Sequence, residues 1–309
     1  MEFRKLSTWP IWFSLLVLLS LTTIVIISNL VYRDMQKQRH YDTGIFKLRH
    51  EGPDSAAKHY EKLAEIGNIE SILGYAWAKQ EDGDFGLAMD LSDLILKNTN
   101  DDHVMAKAHF MIGTILQRTD SQEKAIVTYK ESEKYYSKIG SEKGRYLCFL
   151  RIAFSQVCLG DELNALSTLE HAKGIQPKNE SQGQFKQIKS AALRNLQKWG
   201  ESIPLALDAL AHYRKDNRTR QTIDCLYEIA YQYALSRKPN KAVPYLDEAK
   251  ALDTRNEHDF SNQITRLAMC LAFNGECTET LKRVDELSKD SLNRRNSRVL
   301  LLKHFKKEL

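Results

Sequence analysis

The chain has 309 residues, of which 42% are hydrophobic and 28% charged, and its formal net charge is +5 at pH 7. Lys and Arg outnumber Asp and Glu by only 45 to 40, so the sequence lacks the concentrated basic charge typical of nucleic-acid-binding proteins, and no nucleic-acid partner is expected. With 6 Pro and 14 Gly, few residues interrupt regular structure, which favours helices throughout.

The first predicted element is an apolar segment at residues 11–32, which contains no charged side chain. A helix of this length, at about 1.5 Å per residue, spans the roughly 30 Å hydrocarbon core of a bilayer. Trp9, Trp12 and Tyr32 lie near its ends, where aromatic side chains favour the headgroup zone. The segment is longer than the apolar region of a signal peptide and is not followed by a small-residue cleavage site. The pattern predicts a tail at 1–10, a single transmembrane helix at 11–32, and the lipid bilayer as a partner.

The predicted location is therefore that of a single-pass protein of a cell or inner membrane. More basic residues follow the apolar segment than precede it. Because basic flanking residues favour the cytoplasmic side of a membrane, this asymmetry favours a cytoplasmic location for the remainder of the chain. A short basic tail before a first anchor often stays inside, however, and would export the remainder, so the side is left open. Residues 33–68 are assigned to a juxtamembrane segment, in which Tyr41 to Ile66 form a degenerate first repeat containing Ala56 and Tyr60.

A recurring spacing of small and bulky residues dominates the chain from residue 69 onward. A small residue is followed 12 positions later by Ala or a similar residue, 4 further by a bulky apolar one, and 3 beyond that by a small or apolar one. The clear copies begin at Gly113, Ala153 and Ala230, and the weaker ones at Ala76 and Ala268. The interval of 77 residues between Ala153 and Ala230 is about twice the others, so a further unit is expected near 184–215, with its register open.

The spacing predicts helical hairpins, because small side chains let antiparallel helices approach and bulky ones fill the space between hairpins. Turns between the two helices of a hairpin are expected at Gly83-Asp84, Gly160-Asp161 and Gly275-Glu276, where glycine supplies backbone freedom. Pro239-Asn240 is expected to serve the same purpose, with Asn240 as an N-cap.

Over about residues 69–290 this pattern resembles the tetratricopeptide repeat (TPR) family, whose unit is a helix-turn-helix of 34 residues. The period of 37 to 40 is similar to the longer units of that superfamily, with an extended turn expected at Ser137 to Lys143. The family's Trp near the start of the unit is missing, and its terminal Pro is present once, as Pro177. The glycine-acid turns and the spacing favour this family over HEAT or armadillo arrays. The resemblance implies an all-α, TPR-like α-solenoid after the transmembrane helix, with residues 291–309 as a C-terminal capping helix.

The sequence contains no recognisable catalytic, metal-binding or cofactor motif. Its nine His are scattered, and no phosphate-binding glycine loop or nucleophile elbow is present. The five Cys are an odd number without zinc-site spacing, and the four in apolar helical stretches, including Cys270, are expected to be structural thiols. We therefore expect no enzymatic activity and no cofactor.

The TPR resemblance also implies a concave inner groove, lined by residues next to the small residue of each first helix, that binds extended peptides or a partner helix. Lys107 alone matches the positions at which carboxylate-binding members of the family carry Lys, Arg or Asn. Half of the groove residues are expected to be core, because periodic aromatic residues usually are. The predicted partner-binding groove consists of Trp77, Phe110, Leu150, Phe154, Tyr227, Tyr231 and Met269.

The function predicted from these features is a non-catalytic, membrane-anchored adaptor or scaffold that assembles partner proteins by tethering them. The alternative is a regulatory sensor whose solenoid changes shape when a peptide or protein binds. No G-x-x-x-G seam supports a homo-oligomer formed through the membrane.

Overall fold

The structure, a computed structural model, describes part of the 309-residue chain and divides it into two compact units, residues 1–95 and 96–309. All regular elements in the described part are α-helices. The Gly275-Glu276 turn and the predicted capping helix at 291–309 lie outside the described residues. The described residues are single helical positions between Ser28 and His50 and the ranges 51–64, 69–177, 182–254, 259–273 and 278–287.

The membrane location predicted from the sequence is corrected by the structure. Within the described residues, none of the helices combines the length and the apolar character needed to cross a bilayer. The prediction of a single-pass membrane protein is wrong by this finding. The segment on which it rested, 11–32, lies outside the described residues except for Ser28 and Tyr32.

In the first unit, helix α1 (Pro53–Ala64) packs against α2 (Ile69–Asp82). Helix α3 (Phe85–Asn98) belongs to this unit as far as Ile95. Tyr60 of α1 is buried with its ring directly against Gly44 and Gly74. A Cβ at either glycine would collide with the ring, so these two small residues create the space for Tyr60.

The described residues of the second unit form five helical hairpins, in each of which the first helix packs against the second. Each second helix also packs against the first helix of the next hairpin, so the hairpins form a consecutive stack. The hairpins are α4 (Asp102–Arg118) with α5 (Gln122–Lys138), α6 (Glu142–Leu159) with α7 (Glu162–Gly174), α8 (Gly183–Asn195) with α9 (Trp199–Lys215), α10 (Thr219–Leu235) with α11 (Pro239–Leu252), and α12 (Asp259–Ala272) with α13 (Thr278–Leu287).

The small residues of the repeat pattern lie in the contacts between helices, as the spacing predicted. Gly113, Ala153 and Ala230 are all buried. A Cβ at Gly113 would come within 2.8 Å of the buried ring of Tyr129, so glycine is needed for α4 and α5 to pack at this distance.

The unit between Ala153 and Ala230 is the hairpin of α8 and α9, and its turn fixes the register. Gln197, with φ 58°, lies seven positions after Ser190, as Gly160 with φ 77° lies seven after Ala153. Ser190 is therefore the small residue of this unit. The bulky position, filled by Tyr129 in the first hairpin of this unit, is here Ala206. Because every patterned position of the unit is small, the spacing alone could not fix its register.

Two local expectations from the sequence are corrected. Ser137 to Lys143 is not an extended turn, because α5 continues to Lys138 and α6 begins at Glu142, so the long period reflects long helices. Asn240 is not the N-cap of α11, since Lys238 is the cap residue and Pro239 is the first helical residue, where its missing N–H costs nothing.

The cysteines follow the expectation with one exception. Cys148, Cys158 and Cys225 are buried free thiols. Burial raises the pKa of Cys148 and of Cys158 to about 12, which keeps both thiols protonated and unreactive. Cys270, in contrast, is disulfide-bonded, so the expectation of a free thiol there is corrected.

Candidate protein-binding surface

The first helices α4, α6, α8 and α10 meet one another in sequence at two equivalent repeat positions. One residue lies four positions after the small residue of its helix, and its counterpart lies two positions before the small residue of the next first helix. We call each such meeting point a junction. Its two positions are occupied by Gln117 and Arg151 between α4 and α6, Val157 and Ile188 between α6 and α8, and Arg194 and Glu228 between α8 and α10.

The α8–α10 junction is a buried polar cluster. The guanidinium Nη1 of Arg194 donates to Oε2 of Glu228 at 3.3 Å, and the two side chains are 0% and 5% exposed. Gln232 donates to Oε1 of Glu228 at 2.8 Å and to the hydroxyl of Ser190 at 2.9 Å, and its amide oxygen accepts a hydrogen bond from Ser202 at 2.8 Å. These contacts join three helices and pair both buried charges with each other.

Arg194 also covers an aromatic ring at this junction. Its Cζ lies 5.6 Å from the ring centroid of Tyr231, and the Tyr231 side chain is fully buried. A cation above a ring is attracted by the negative face of the π system. Together with the ion pair, this packing closes the surface of α10 around Tyr231.

The α6–α8 junction is apolar. Val157 and Ile188 are both buried in a core cluster that also contains Leu150 and Phe185. Side chains of this kind stabilise the stack by burying apolar area and leave no group with which to bind a polar ligand.

At the α4–α6 junction, the same two positions are joined by hydrogen bonds of a neutral amide, without an ion pair. Gln117 donates to the backbone carbonyl of Arg151 at 3.2 Å and to the hydroxyl of Ser155 at 2.7 Å. The hydroxyl of Tyr129 donates to Gln117 at 3.4 Å and to Thr114 at 3.1 Å. The neutral amide of Gln117 therefore ties α4 to α6 without neutralising the half-buried guanidinium of Arg151.

Arg151 acts electrostatically on the buried phenols around it. Burial raises the pKa of Tyr129 to about 12, and the positive charges of Arg151 and Arg118 oppose that rise. The pKa of Tyr213 is also raised by burial, and Arg151 again acts in the opposite direction. Arg151 thus places a positive charge within reach of phenols on both α5 and α9.

The predicted groove residues differ widely in exposure. Phe154 of α6 is 41% exposed, and Phe110 of α4 is half-buried with its ring centroid 5.3 Å from that of Tyr129. Trp77 belongs to the first unit and is half-buried. The remaining four are buried members of core clusters, where they stabilise helix packing and offer little surface to a partner: Leu150, Tyr227, Tyr231 and Met269.

Reasoning from the sequence did not identify Arg151, Gln117, Arg194 or Glu228. One available signal was the distribution of charge along the first helices. After their first residues, Asp102 and Glu142, neither α4 nor α6 contains an Asp or Glu, although both contain Lys and Arg. These two helices therefore carry a net positive charge.

Within the described ranges, no group of three or more His, Cys, Asp or Glu side chains is placed to hold a metal ion. Among the titratable side chains at these junction positions, Arg194 and Glu228 pair with each other, and Arg151 forms no ion pair within the described part of the chain. This arrangement offers binding and electrostatic attraction, with no nucleophile or general base held beside a pocket.

Comparison with known proteins supports the fold. No protein-family profile and no curated protein matches the chain in sequence. A Rap protein in complex with competence and sporulation factor matches with a TM-score of 0.64 at 18% identity, over 84% of this chain and 77% of that chain. Aspartyl phosphate phosphatase F from Bacillus subtilis matches with a TM-score of 0.59 at 13% identity, over 76% and 64%.

A third match is a signal transduction ATPase with numerous domains (STAND) from Pyrococcus horikoshii, which has a tetratricopeptide repeat sensor. Its TM-score is 0.59 at 13% identity, over 89% of this chain and 44% of that chain, so this chain spans less than half of the STAND protein. At these identities the likeness concerns the fold alone. The fold is an all-helical, TPR-like array of helical hairpins, which confirms the fold expected for the repeat region.

Proposed function

We propose that this protein is a non-catalytic regulatory protein that binds an extended segment of a partner protein, or a peptide, on the surface formed by α4 and α6. The observation that carries the proposal is the exposure of Phe154, which is 41% exposed in the middle of a first helix. At the equivalent position of α10, Tyr231 is fully buried. The protein thus covers this position in one hairpin and leaves it open in another.

An exposed aromatic side chain on a helix stack is suited to bind a partner. Aromatic residues supply much of the binding energy of protein interfaces, since they bury a large area with little loss of conformational entropy. Phe110 adds a second, half-buried ring on the neighbouring first helix. Both rings belong to the set of groove residues that the TPR resemblance implied, so the fold and the exposure favour the same surface.

The surface is compatible with two modes of action. In the first, the protein is an adaptor that holds a partner segment without changing shape. In the second, it is a sensor in which the bound segment changes the packing of the hairpins. Two fold neighbours support the second mode by analogy: a Rap protein in complex with competence and sporulation factor, and a STAND protein with a tetratricopeptide repeat sensor.

The test of binding uses the full-length protein and a phage library that displays random linear peptides of 12 residues. Enriched sequences are synthesised with a fluorescent label, and their affinity is measured by anisotropy. Phe154→Ala should weaken binding at least about tenfold, which is the effect of losing an interface hot spot. The unfolding midpoint should change little, because the Phe154 side chain is substantially exposed.

Leu163→Ala is the matched control, because Leu163 is 74% exposed and lies on α7, a second helix. This variant should bind the same peptides as the wild type does. Wild-type affinity in Phe154→Ala, or the absence of any enriched peptide, would contradict the proposed function.

Small-angle scattering of the full-length protein with and without a bound peptide separates the two modes of action. A change in the radius of gyration supports the sensor, and an unchanged radius supports the adaptor.

A further inference from the structure

Arg151 is a half-buried cation without a counterion on the proposed binding surface. Within the described part of the chain, no side chain or carbonyl forms an ion pair or a hydrogen bond with its guanidinium. Arg145 on the same helix is different, since its Nε lies 2.7 Å from Oε1 of Glu133. A partly desolvated charge without a counterion is unfavourable, so a ligand that supplies an anion there gains binding energy.

The two helices that meet at this junction carry little negative charge. Neither α4 nor α6 contributes an acidic side chain after its first residue. The equivalent residue in α10 is Glu228, whose charge is neutralised by Arg194. The structure therefore neutralises one junction internally and leaves the other positive, which is the electrostatic complement of an acidic segment.

From this arrangement, and on the basis of the proposed function, we infer that the partner segment is acidic and that an Asp or Glu carboxylate of the segment binds the guanidinium of Arg151. An apolar side chain of the same segment packs on Phe154. Planar, bidentate pairing with a carboxylate is the interaction for which a guanidinium is best suited.

The geometry of the helix sets the spacing of this motif. Arg151 and Phe154 are three residues apart on α6, a rise of about 4.5 Å along the helix axis. Side chains on one face of an extended peptide recur every second residue, about 6.6 Å apart, and the long side chain of arginine covers the difference. The expected motif is an acidic residue with an apolar or aromatic residue two positions away.

The first experiment examines peptides enriched from the 12-residue phage library on the full-length protein. These sequences should share an Asp or Glu two positions from an apolar residue. In the labelled synthetic peptides, replacing that Asp by Asn, or that Glu by Gln, should lower the affinity at least about tenfold. The affinity for the acidic peptide should also fall as salt concentration rises, because the guanidinium is only half-buried.

Variants of the protein then locate the contact. Arg151→Ala should lower the affinity for the acidic peptide at least about tenfold, and Arg151→Lys should restore only part of it because an ammonium group lacks the paired donors. Arg145→Ala is the matched control, because Arg145 is also an arginine of α6 but is already paired with Glu133. It should bind like the wild type.

A charge exchange keeps the inference testable if Arg151→Ala folds poorly. Arg151→Glu should bind the acidic peptide at least about tenfold more weakly, and should bind a peptide carrying Lys in place of the acidic residue better than the wild type does.

The outcomes distinguish this inference from the proposed function. Enriched peptides that depend on Phe154 but not on Arg151, or that contain no shared acidic residue, overturn the inference and leave the proposed function standing. Failure to enrich any peptide overturns both. If the wild type and Arg151→Ala both bind acidic and neutral peptides equally well, the carboxylate contact is rejected. If inorganic phosphate competes as well as the acidic peptide does, the site binds anions without recognising a segment, which also overturns the inference.

Discussion

The α4–α6 and α8–α10 junctions have different side chains at the same two repeat positions. At the first, the neutral Gln117 meets the backbone of Arg151 and leaves its guanidinium without a counterion in the described part of the chain. At the second, Arg194 pairs with Glu228 at 3.3 Å inside a buried network. Equivalent positions of a helix-hairpin array can therefore hold a neutralised charge pair at one junction and an arginine without a counterion at another.

The difference extends to the aromatic residue beside each junction. Phe154, at the more open junction, is 41% exposed, whereas Tyr231, at the closed one, is fully buried under Arg194. Phe154 and Tyr231 occupy the same position of the repeat pattern. Arg194 of the neighbouring first helix covers the ring of Tyr231, so accessibility at this position depends on the junction as well as on the repeat unit.

The largest effect is expected from breaking the closed junction. Arg194→Ala should lower the free energy of unfolding by about 3–5 kcal/mol, because it leaves the carboxylate of Glu228 buried without its cation. Chemical denaturation of the full-length protein measures this change. The double variant Arg194→Met with Glu228→Leu should be more stable than Arg194→Ala, since it removes both buried charges together.

Arg214→Ala is the control for this prediction. Arg214 pairs with Glu248 on α11, but the two side chains are 49% and 42% exposed. Exposed pairs contribute about 0–1 kcal/mol, so this loss should be small. Equal destabilisation by Arg194→Ala and Arg214→Ala would contradict the distinction between a buried and an exposed pair.

The sequence predicts the hairpins because the packing of two adjacent helices requires small residues at particular positions. Gly113 and Ala153 must be small for helices to touch, and this requirement recurs at a fixed spacing. The sequence did not predict the junctions, because Glu228, the partner of Arg194, and Gln117, which contacts the Arg151 backbone, lie on other hairpins. These contacts depend on how first helices pack. Nor could it show which groove aromatics were exposed, since Tyr231 and Phe154 have the same position in the pattern.

A smaller effect is expected from substitutions at two glycines of the second unit. Gly113→Ala should destabilise the protein by about 1–3 kcal/mol, because the new Cβ would lie 2.8 Å from the ring of Tyr129, which has no room to move. Gly200→Ala, in the first turn of α9, should stabilise by up to about 1 kcal/mol, since nothing lies within 4 Å of its Cβ position. Thermal unfolding of the two variants should therefore shift in opposite directions, and shifts in the same direction would refute the packing described for α4 and α5.

The smallest effect concerns the pH dependence of the hairpin of α4 and α5. His109 is half-buried, and its ring stacks on that of Tyr135 with centroids 5.5 Å apart. Burial lowers the pKa of His109, and the negative charge of Glu131 opposes this only in part. The folded state therefore binds a proton at His109 less readily than the unfolded state, in which the pKa is about 6.5.

The sign of the effect follows from this difference. Stability is fully present above the unfolded pKa of about 6.5 and is lost as the pH falls through that value towards the lower folded pKa. The urea midpoint of the wild type should fall between pH 7.5 and pH 5.5. His109→Gln should reduce that fall, because an amide of similar size does not titrate in this range.

His103 accounts for part of the remaining fall, because its pKa is lowered by burial and, to a smaller extent, by the charge of Lys107. The double variant His103→Gln with His109→Gln should therefore flatten the pH profile further. A fall of the same size in the wild type and the double variant would assign the pH dependence to groups outside this hairpin.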